Sequence, residues 1–309
     1  MNLAIPTLDR VRKPVDAVKT QLMENRRVRF LLSPGSGLLW TFVFLVLPLL
    51  IIVAFSFFRS GEGSTIIYEV TFENYQRFVD GTVYQRIIGR SVLVGLVTTI
   101  VVLPLGYTLG YFIGRSKSSW TPILLGLVVV QFWVPLVIRT YAWITILGRQ
   151  GVVNKFLIWI GVVSEPVQLL YTTHGMLLGL IVSILPFMVL PVYASVSTID
   201  EEIIQAAKTM GASDLRAFVE VTLPLTWPGV VSGILFTFIL SAGAFIAPEL
   251  LGGSSDRLIA PVIATVFMQD FNWPFAAALS IVYVLLLGVV LYLFTKKADL
   301  EEALEGASL

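Results

Sequence analysis

Residues 198–228 read TIDEEIIQAAKTMGASDLRAFVEVTLPLTWP and lie between two apolar stretches, Gly175–Ser197 and Gly229–Leu251. Each flanking stretch is long enough to cross the hydrocarbon core of a bilayer, which takes about 20 residues of α-helix. The segment between them carries charges of both signs and is therefore expected to project from the membrane on one side. The sequence predicts a membrane protein with a structured polar loop at one surface.

The first half of this loop predicts a short helix with a small apolar face. Thr198 and Glu201 have the spacing of a capping box, and the acidic residues of the first turn favour a helix that begins there. Apolar residues then recur at helical spacing; they are Ile199, Ile203, Ala206, Ala207 and Met210. Such a face can dock in a groove of a soluble partner or rest on the bilayer, and the acidic residues disfavour an anionic bilayer surface.

The second half of the loop predicts a turn and another short helix. Gly211 permits a sharp turn, and Ser213 can cap a helix that runs to about Val221. Pro224 and Pro228 are expected to end that helix before the next span begins. The loop is thus expected to form a helix–turn–helix that projects from the membrane.

Composition agrees with a membrane location. The 309 residues are 56% hydrophobic and 13% charged, with a mean hydropathy of +0.86; soluble domains carry about twice that charged fraction. Six stretches are long and apolar enough to span a bilayer; they are Leu38–Phe58, Gly89–Gly114, Thr121–Leu147, Gly175–Ser197, Gly229–Leu251 and Phe275–Phe294. A seventh stretch, Val152–Val163, is too short to cross and is expected to lie at one membrane surface or to re-enter from it.

Several classes of function are excluded by the residue inventory. The chain has no cysteine and a single histidine, His174, which excludes disulfides and thiolate sites and leaves few ligands for a metal. A net charge of +1 argues against a nucleic-acid-binding protein. No Gly-x-x-x-x-Gly-Lys-Ser/Thr loop occurs, so the chain is not expected to bind ATP by a P-loop. We therefore expect a chain that is not an enzyme and has no catalytic residues, metal or cofactor of its own.

The distribution of lysine and arginine orients the spans. With a cytoplasmic N-terminus, 13 of these residues fall on the cytoplasmic side and 8 on the outer side, and seven of the 13 precede the first span. Both termini are therefore expected in the cytoplasm, and the first span is expected to be a retained anchor. The expected organisation is a basic tail (residues 1–37), a six-span domain (38–295) that contains the loop 198–228, and a C-terminal tail (296–309).

The loop resembles the EAA signature of ABC importer permeases. That signature is Glu-Ala-Ala, three residues, Gly, nine residues and Ile-x-Leu-Pro; QAA at 205–207, Gly211 and VTLP at 221–224 keep its spacing. Gln205 replaces the family glutamate and Val221 replaces the isoleucine. Glutamine can form hydrogen bonds but cannot form the ion pair that the glutamate makes with the nucleotide-binding subunit. Whether Glu201 or Glu202 supplies that charge is left open by the sequence.

The resemblance implies a fold and an assembly. It implies an all-α integral membrane protein, the type I (MetI-like) ABC importer permease bundle of six transmembrane helices with a cytoplasmic coupling helix, in the bacterial inner membrane. The implied partners are ABC ATPase subunits that bind ATP, a second permease subunit in a heterodimer, and a periplasmic or lipid-anchored solute-binding protein. The residues implied to contact the ATPase are Glu201, Glu202, Gln205, Ala206, Ala207, Gly211, Leu223 and Pro224.

Further motifs resemble the spermidine/putrescine branch of these permeases. They are FENY at 72–75, RTYAW at 139–143, LPFM at 185–188, PELLGG at 248–253 and NWPF at 272–275. This resemblance implies a polyamine or a related small nitrogenous solute. Relatives in the branch also move opines and amino-acid derivatives.

Four residues are candidates for the solute pathway: Trp133, Arg139, Tyr141 and Glu249. Ionisable residues in spans are costly and mark functional sites, and a cationic solute favours an acidic or aromatic lining. The ionisable candidates also lie near span ends, where they can reach the headgroups, and Trp133 can simply pack between helices. An ion-coupled secondary transporter is the alternative function, although neither repeated halves nor midplane ionisable groups are evident.

Overall fold

The computed structural model describes residues 34–61, 65–254 and 256–306, and side chains are described between residues 37 and 296 within these ranges. The basic tail predicted for residues 1–37 therefore falls almost wholly outside the described chain. The predicted limits of the tails and of the spanning domain stay predictions.

Helix dominates the described chain, as the sequence predicts. The helices are α1 (Pro34–Thr41), α2 (Leu47–Ser56), α3 (Glu73–Asp80), α4 (Thr82–Arg115), α5 (Thr121–Val129), α6 (Leu136–Leu147), α7 (Val152–Trp159), α8 (Thr173–Ile184), α9 (Pro186–Ser197), α10 (Glu201–Thr209), α11 (Asp214–Ala217), α12 (Leu223–Ala242), α13 (Ile246–Leu251), α14 (Ile259–Met268) and α15 (Trp273–Gly306). Two short strands, β1 (Arg59–Ser60) and β2 (Ile66–Ile67), pair antiparallel. The π turns Phe42–Val46 and Phe218–Thr222 precede α2 and α12, and a 3₁₀ turn, Val130–Phe132, follows α5.

Three helices, α4, α9 and α12, pack against one another and form the centre of the bundle. A cluster of buried side chains fills the space between them; it consists of Val102, Met188, Val192, Val196 and Val230. The helix α13 packs against α6 and α8, and the first span packs against α15. The core is thus a three-helix unit with the remaining spans placed around it.

Glycines determine how closely α4 and α9 approach. Gly106, Gly110 and Gly114 recur every four residues on α4 and so lie on one face of the helix. A Cβ atom at Gly110 would lie 2.8 Å from the carbonyl oxygen of Val189, and a Cβ atom at Gly114 would lie 2.7 Å from Cγ1 of Val196. The present separation of the two helices therefore requires glycine, as at other close contacts between membrane helices.

Five described helices are long and apolar enough to cross a membrane, and a sixth span results if a bent pair of helices counts as one. The five are Gly37–Ser56, Thr82–Arg115, Thr173–Ser197, Asp214–Ala242 and Trp273–Lys296. The first, second, fourth and sixth predicted spans each correspond to one of these helices, with different ends. The second begins at Thr82 instead of Gly89, and α15 continues to Gly306, past the predicted end at Phe294.

The third predicted span, Thr121–Leu147, is not one helix. The segments Thr121–Phe132 and Leu136–Trp159 are bent by 97°. Pro135 lies at the break with an extended ψ of 135°, because proline has no N–H for the helical ladder and biases the residue before it towards extended backbone. We call residues 133–135 the elbow.

The fifth predicted span, Gly229–Leu251, has the wrong bounds: the helix begins before Gly229 and ends before Leu251. The helix runs from Asp214 through the π turn to Ala242, and α13 is a separate helix after a break at residues 243–245. Pro224 and Pro228 do not end a helix, contrary to the prediction. Pro224 stands in the first turn of α12, directly after the wide π turn, where the regular hydrogen-bond ladder is already interrupted.

Two helices, α3 and α14, were not predicted from the sequence. The helix α3 is too polar to span, and α14 has only 10 residues. The predicted short segment Val152–Val163 contains the eight-residue helix α7. Its length agrees with a segment too short to cross the bilayer.

The glycine contact generates a stability prediction. Gly110→Ala should lower the apparent unfolding temperature of the detergent-solubilised protein, because overpacking against a fixed backbone carbonyl costs about 1–3 kcal/mol. The matched control is Gly126→Ala on α5, where an added Cβ meets nothing within 4 Å and should be neutral or slightly stabilising. Equal unfolding temperatures for both variants would contradict the close-contact role.

Candidate coupling surface and solute pathway

The predicted docking helix exists as α10, but its start differs from the prediction. Its N-cap is Asp200, and Thr198 is instead the C-cap of α9. The Thr198 hydroxyl donates to the Ser195 carbonyl at 2.8 Å, as threonine side chains do when a carbonyl of the preceding turn is within reach. The predicted capping box between Thr198 and Glu201 is therefore wrong, because α9 extends to Ser197.

The apolar residues of the loop do not form a single exposed face. Ala207 is buried together with Ile204 and Ala217, so this side of α10 packs on α11. Ile203 and Met210 are exposed, Met210 to 84%. Periodicity identifies the apolar positions, but it does not tell which of them the protein itself covers.

The side of α10 that faces away from α11 is exposed. Its residues are Glu202, Gln205, Ala206 and Thr209, which lie opposite Ile204 and Ala207 by helical spacing. We call these four residues the outer face of α10. This face has a small side chain, Ala206, between polar side chains, and one of the polar side chains is the carboxylate of Glu202.

Basic residues at the end of α4 hold α10 in place. Lys117 forms an ion pair with Glu201, and Arg115 Nη1 donates to the Ile199 carbonyl at 3.4 Å. A hydrogen bond from Lys117, together with its positive charge, holds the pKa of Glu201 below the ordinary value. The contribution of this pair is therefore present above the ordinary pKa of glutamate and is lost as the pH falls through the lowered pKa.

The two candidate carboxylates thus have different surroundings. Glu201 is engaged within the chain by Lys117. Glu202 is exposed and forms no ion pair with any residue that the structure describes. Glu202 is therefore the carboxylate of α10 that is available to a cation outside this chain.

The turn after α10 matches the sequence prediction. Gly211 has a φ of +94°, a conformation that residues with a Cβ adopt at a cost. The Ser213 hydroxyl accepts a hydrogen bond from the Arg216 N–H at 3.3 Å and caps α11. Lys208 Nζ and Asp214 Oδ1 join the two helices across the turn at 2.5 Å. Leu223 and Pro224 begin α12 and lie outside this turn.

The elbow exposes the first candidate pathway residue. The Trp133 side chain is 82% exposed, so the alternative that it packs between helices of this chain is wrong. Arg139 Nη1 donates to Gln131 Oε1 at 3.4 Å across the bend. The rings of Phe132 and Phe187 meet edge to face with centroids 5.2 Å apart, which joins the 3₁₀ turn before the elbow to α9.

Tyr141 and Glu249 lie on neighbouring helices. Tyr141 is exposed on α6, and Glu249 is exposed on α13, which packs against α6. The structure brings these helices together, but the described ion pairs do not include one between Glu249 and Arg139. The assignment of the four candidates to a pathway stays a prediction.

One buried carboxylate was missed by the sequence analysis. Asp256 Oδ1 accepts from the Thr173 hydroxyl at 2.7 Å and lies 3.8 Å from Arg90 Nη1. Asp256 Oδ2 accepts from the Gly253 N–H at 3.3 Å. A single aspartate in a loop carries no periodic signal, so only the fold reveals that it connects α4, α8 and the segment before α14.

Comparison with known proteins places this geometry in a family. The chain is 34% identical over 269 residues to the spermidine/putrescine transport system permease protein PotB of Escherichia coli K12, which covers 85% of this chain and 98% of that protein. PotB of Haemophilus influenzae is 32% identical over 255 residues, covering 82% of this chain and 89% of that protein. These similarities extend over most of both chains.

Solved structures show the same fold. The chain is similar to one in the crystal structure of a bacterial ABC transporter involved in the import of the acidic polysaccharide alginate, with a TM-score of 0.74, 17% identity, and coverage of 92% of this chain and 98% of that chain. At this identity the likeness concerns the fold alone.

The family also decides between the two functions that the sequence left open. An ion-coupled secondary transporter has no support from these matches, because the relatives are transport-system permeases. Residues 106–299 match the family model described as the binding-protein-dependent transport system inner membrane component. The chain therefore belongs to this family, the membrane-spanning permease subunits of ABC importers.

Proposed function

We propose that this chain forms half of the translocation pathway of a bacterial ABC importer for a polyamine or a related nitrogenous solute. ATP is hydrolysed on separate ATPase subunits that dock on α10. A second, related permease subunit supplies the other half, and a soluble or lipid-anchored binding protein delivers the solute on the opposite side. The observation that carries this proposal is the outer face of α10, which is exposed on a helix fixed at its other side.

The orientation follows from the docking helix. ATPase subunits are cytoplasmic, so α10 and the ends of α4 and α9 that lie beside it face the cytoplasm. Six spans, with the bent pair counted as one, and the positive residues near these ends agree with cytoplasmic termini. The first turn of α4 and the segment before α14 then face the periplasm.

The contacts of α10 explain how force could reach the bundle. The helix is joined to α4 through Lys117 and to α12 through the turn at Gly211, α11 and the π turn. Both receiving helices belong to the three-helix core. Closure of an ATPase dimer would therefore displace the core of each permease as a unit, and the two bundles would alternate between inward-open and outward-open states.

The elbow supports a role in the solute pathway. Interrupted backbone at membrane depth is tolerated where it lines protein or a water-filled cavity. Trp133 presents its ring there, and a ring face attracts ammonium groups. Glu249 supplies a negative charge on a neighbouring helix, while Arg139 is turned towards Gln131. The names of the relatives, spermidine/putrescine permeases, agree with a cationic solute.

The docking role is tested by a bulky side chain on the outer face. Ala206→Trp should leave the subunit in the membrane and abolish ATP-driven uptake. Ala206 is exposed, so a tryptophan there would prevent α10 from entering the groove of the ATPase subunit and would not disturb the packing of α10 on α11. Gly211→Trp should have the same effect, but its positive φ adds strain to the turn. The control is Ala54→Trp, at an exposed alanine of α2.

Uptake is measured in vesicles with ATP, and subunit association by co-purification of the ATPase. Ala54→Trp should behave as wild type in both measurements. Wild-type uptake by the Ala206→Trp protein would contradict docking on α10. Gln205→Glu, which restores the family residue, should retain uptake.

The two carboxylates make a second prediction. Glu202→Gln should weaken ATPase association by about fivefold or more, because a charge-assisted contact to the partner is lost. Glu201→Gln should have a smaller effect on association, since its partner Lys117 lies within the chain. Affinity is measured by titrating purified ATPase subunit onto the immobilised membrane complex at low and high salt. A larger loss for Glu201→Gln would reverse the assignment.

A further inference from the structure

A cavity of about 920 Å³ lies at the end of the bundle opposite α10. Its walls are the first turns of α4, the two residues Ser254 and Arg257, and the helix α14 with the residues that follow it. The far end of α4 carries Arg115, which donates to the Ile199 carbonyl just before α10, so the cavity and α10 lie near opposite ends of this one helix. None of the four candidate pathway residues lines it.

Positive charge dominates the polar part of this cavity. Arg86, Arg90 and Arg257 line it together with a single acidic residue, Asp270. Arg90 lies beside the buried Asp256. Arg86 and Arg257 are exposed and form no ion pair with the residues that the structure describes. Their charges are therefore available to an anion in the cavity.

Apolar residues also line the cavity, and on the α4 side this apolar lining continues along the exposed face of the helix. Leu93, Val262 and Val266 belong to its lining. Leu93 is 59% exposed, and Ile100, two turns further on the same side of α4, is 67% exposed. The arginines of the cavity thus adjoin, through Leu93, an exposed apolar stripe on α4.

The position of this change matches the edge of the bilayer. The stretch of α4 without a charged residue begins directly after Arg90 and ends before Arg115, which places Arg86 and Arg90 at the level where the hydrocarbon ends and the headgroups begin. A soluble acidic partner would use the arginines but would leave the apolar part without an occupant. A cationic solute would be repelled.

We propose that this cavity binds one glycerophospholipid of the leaflet opposite α10. Arg86 and Arg257 donate to its phosphate group, for which the planar guanidinium is suited. One acyl chain lies over Leu93 and towards Ile100. The inference concerns a surface outside the solute pathway and does not rest on the identity of the solute.

The test removes the two unpaired arginines and leaves Arg90 with Asp256. Full-length chain, purified with the subunits that accompany it and stripped of lipid, is titrated with phosphatidylglycerol and followed by native mass spectrometry. Arg86→Gln/Arg257→Gln should weaken binding of the first lipid by about tenfold, because charge-assisted hydrogen bonds to phosphate are lost. The matched control is Arg149→Gln/Lys155→Gln, which removes two exposed charges outside the cavity and should bind as wild type.

Two further arms separate the possible ligands. Arg86→Lys/Arg257→Lys keeps the charge and should bind with intermediate affinity, which a merely misfolded variant would not do. Glycerol 3-phosphate, which has the headgroup chemistry without acyl chains, should not displace the lipid. Displacement by this free anion, or equal lipid affinity in wild type and the glutamine variant, would overturn the proposal. The proposal would also be overturned if the Arg86→Gln/Arg257→Gln variant bound lipid as wild type and lost association with a soluble protein.

Discussion

The close contact between α4 and α9 is the constraint on which the rest of the structure depends. Gly110 brings the backbone of α4 near the Val189 carbonyl, and α12 completes the three-helix core. In lipid, apolar burial alone gives helices little reason to associate, so close packing has to supply the attraction. The arginine cavity and the anchoring of α10 both depend on where this contact holds α4.

The nine-residue helix α10 is packed on one side and exposed on the other. Ile204 and Ala207 fix α10 to α11, while its other side stays open to a partner. Lys117 adds an exposed ion pair, which contributes little to stability by itself but limits the directions in which the helix can move. Because α10 is packed on one side only, a partner can contact its exposed side without displacing it from α11.

The sequence predicted the fold class, the loop between the fourth and fifth spans, and the turn at Gly211, because long apolar stretches and a glycine–serine pair are strong local signals. It did not predict the break at Pro135, since Pro228 is tolerated inside α12 and proline alone does not distinguish the two outcomes. It also missed Asp256, whose partner Thr173 is 83 residues away in the chain. Local patterns identify elements, whereas contacts between distant segments decide which side of an element is covered.

The unbroken course of α4 has a mechanical consequence. Its 34 residues continue through Pro104 and, at about 1.5 Å per residue, reach about 51 Å. One end adjoins Lys117 and the other carries Arg90, which lies beside Asp256. If the helix tilts by about 5° as a lever, its far end sweeps about 4 Å over that length. Such a sweep is as large as the separation of Arg90 and Asp256, 3.8 Å, so a tilt that starts beside α10 would break this ion pair at the other end of α4.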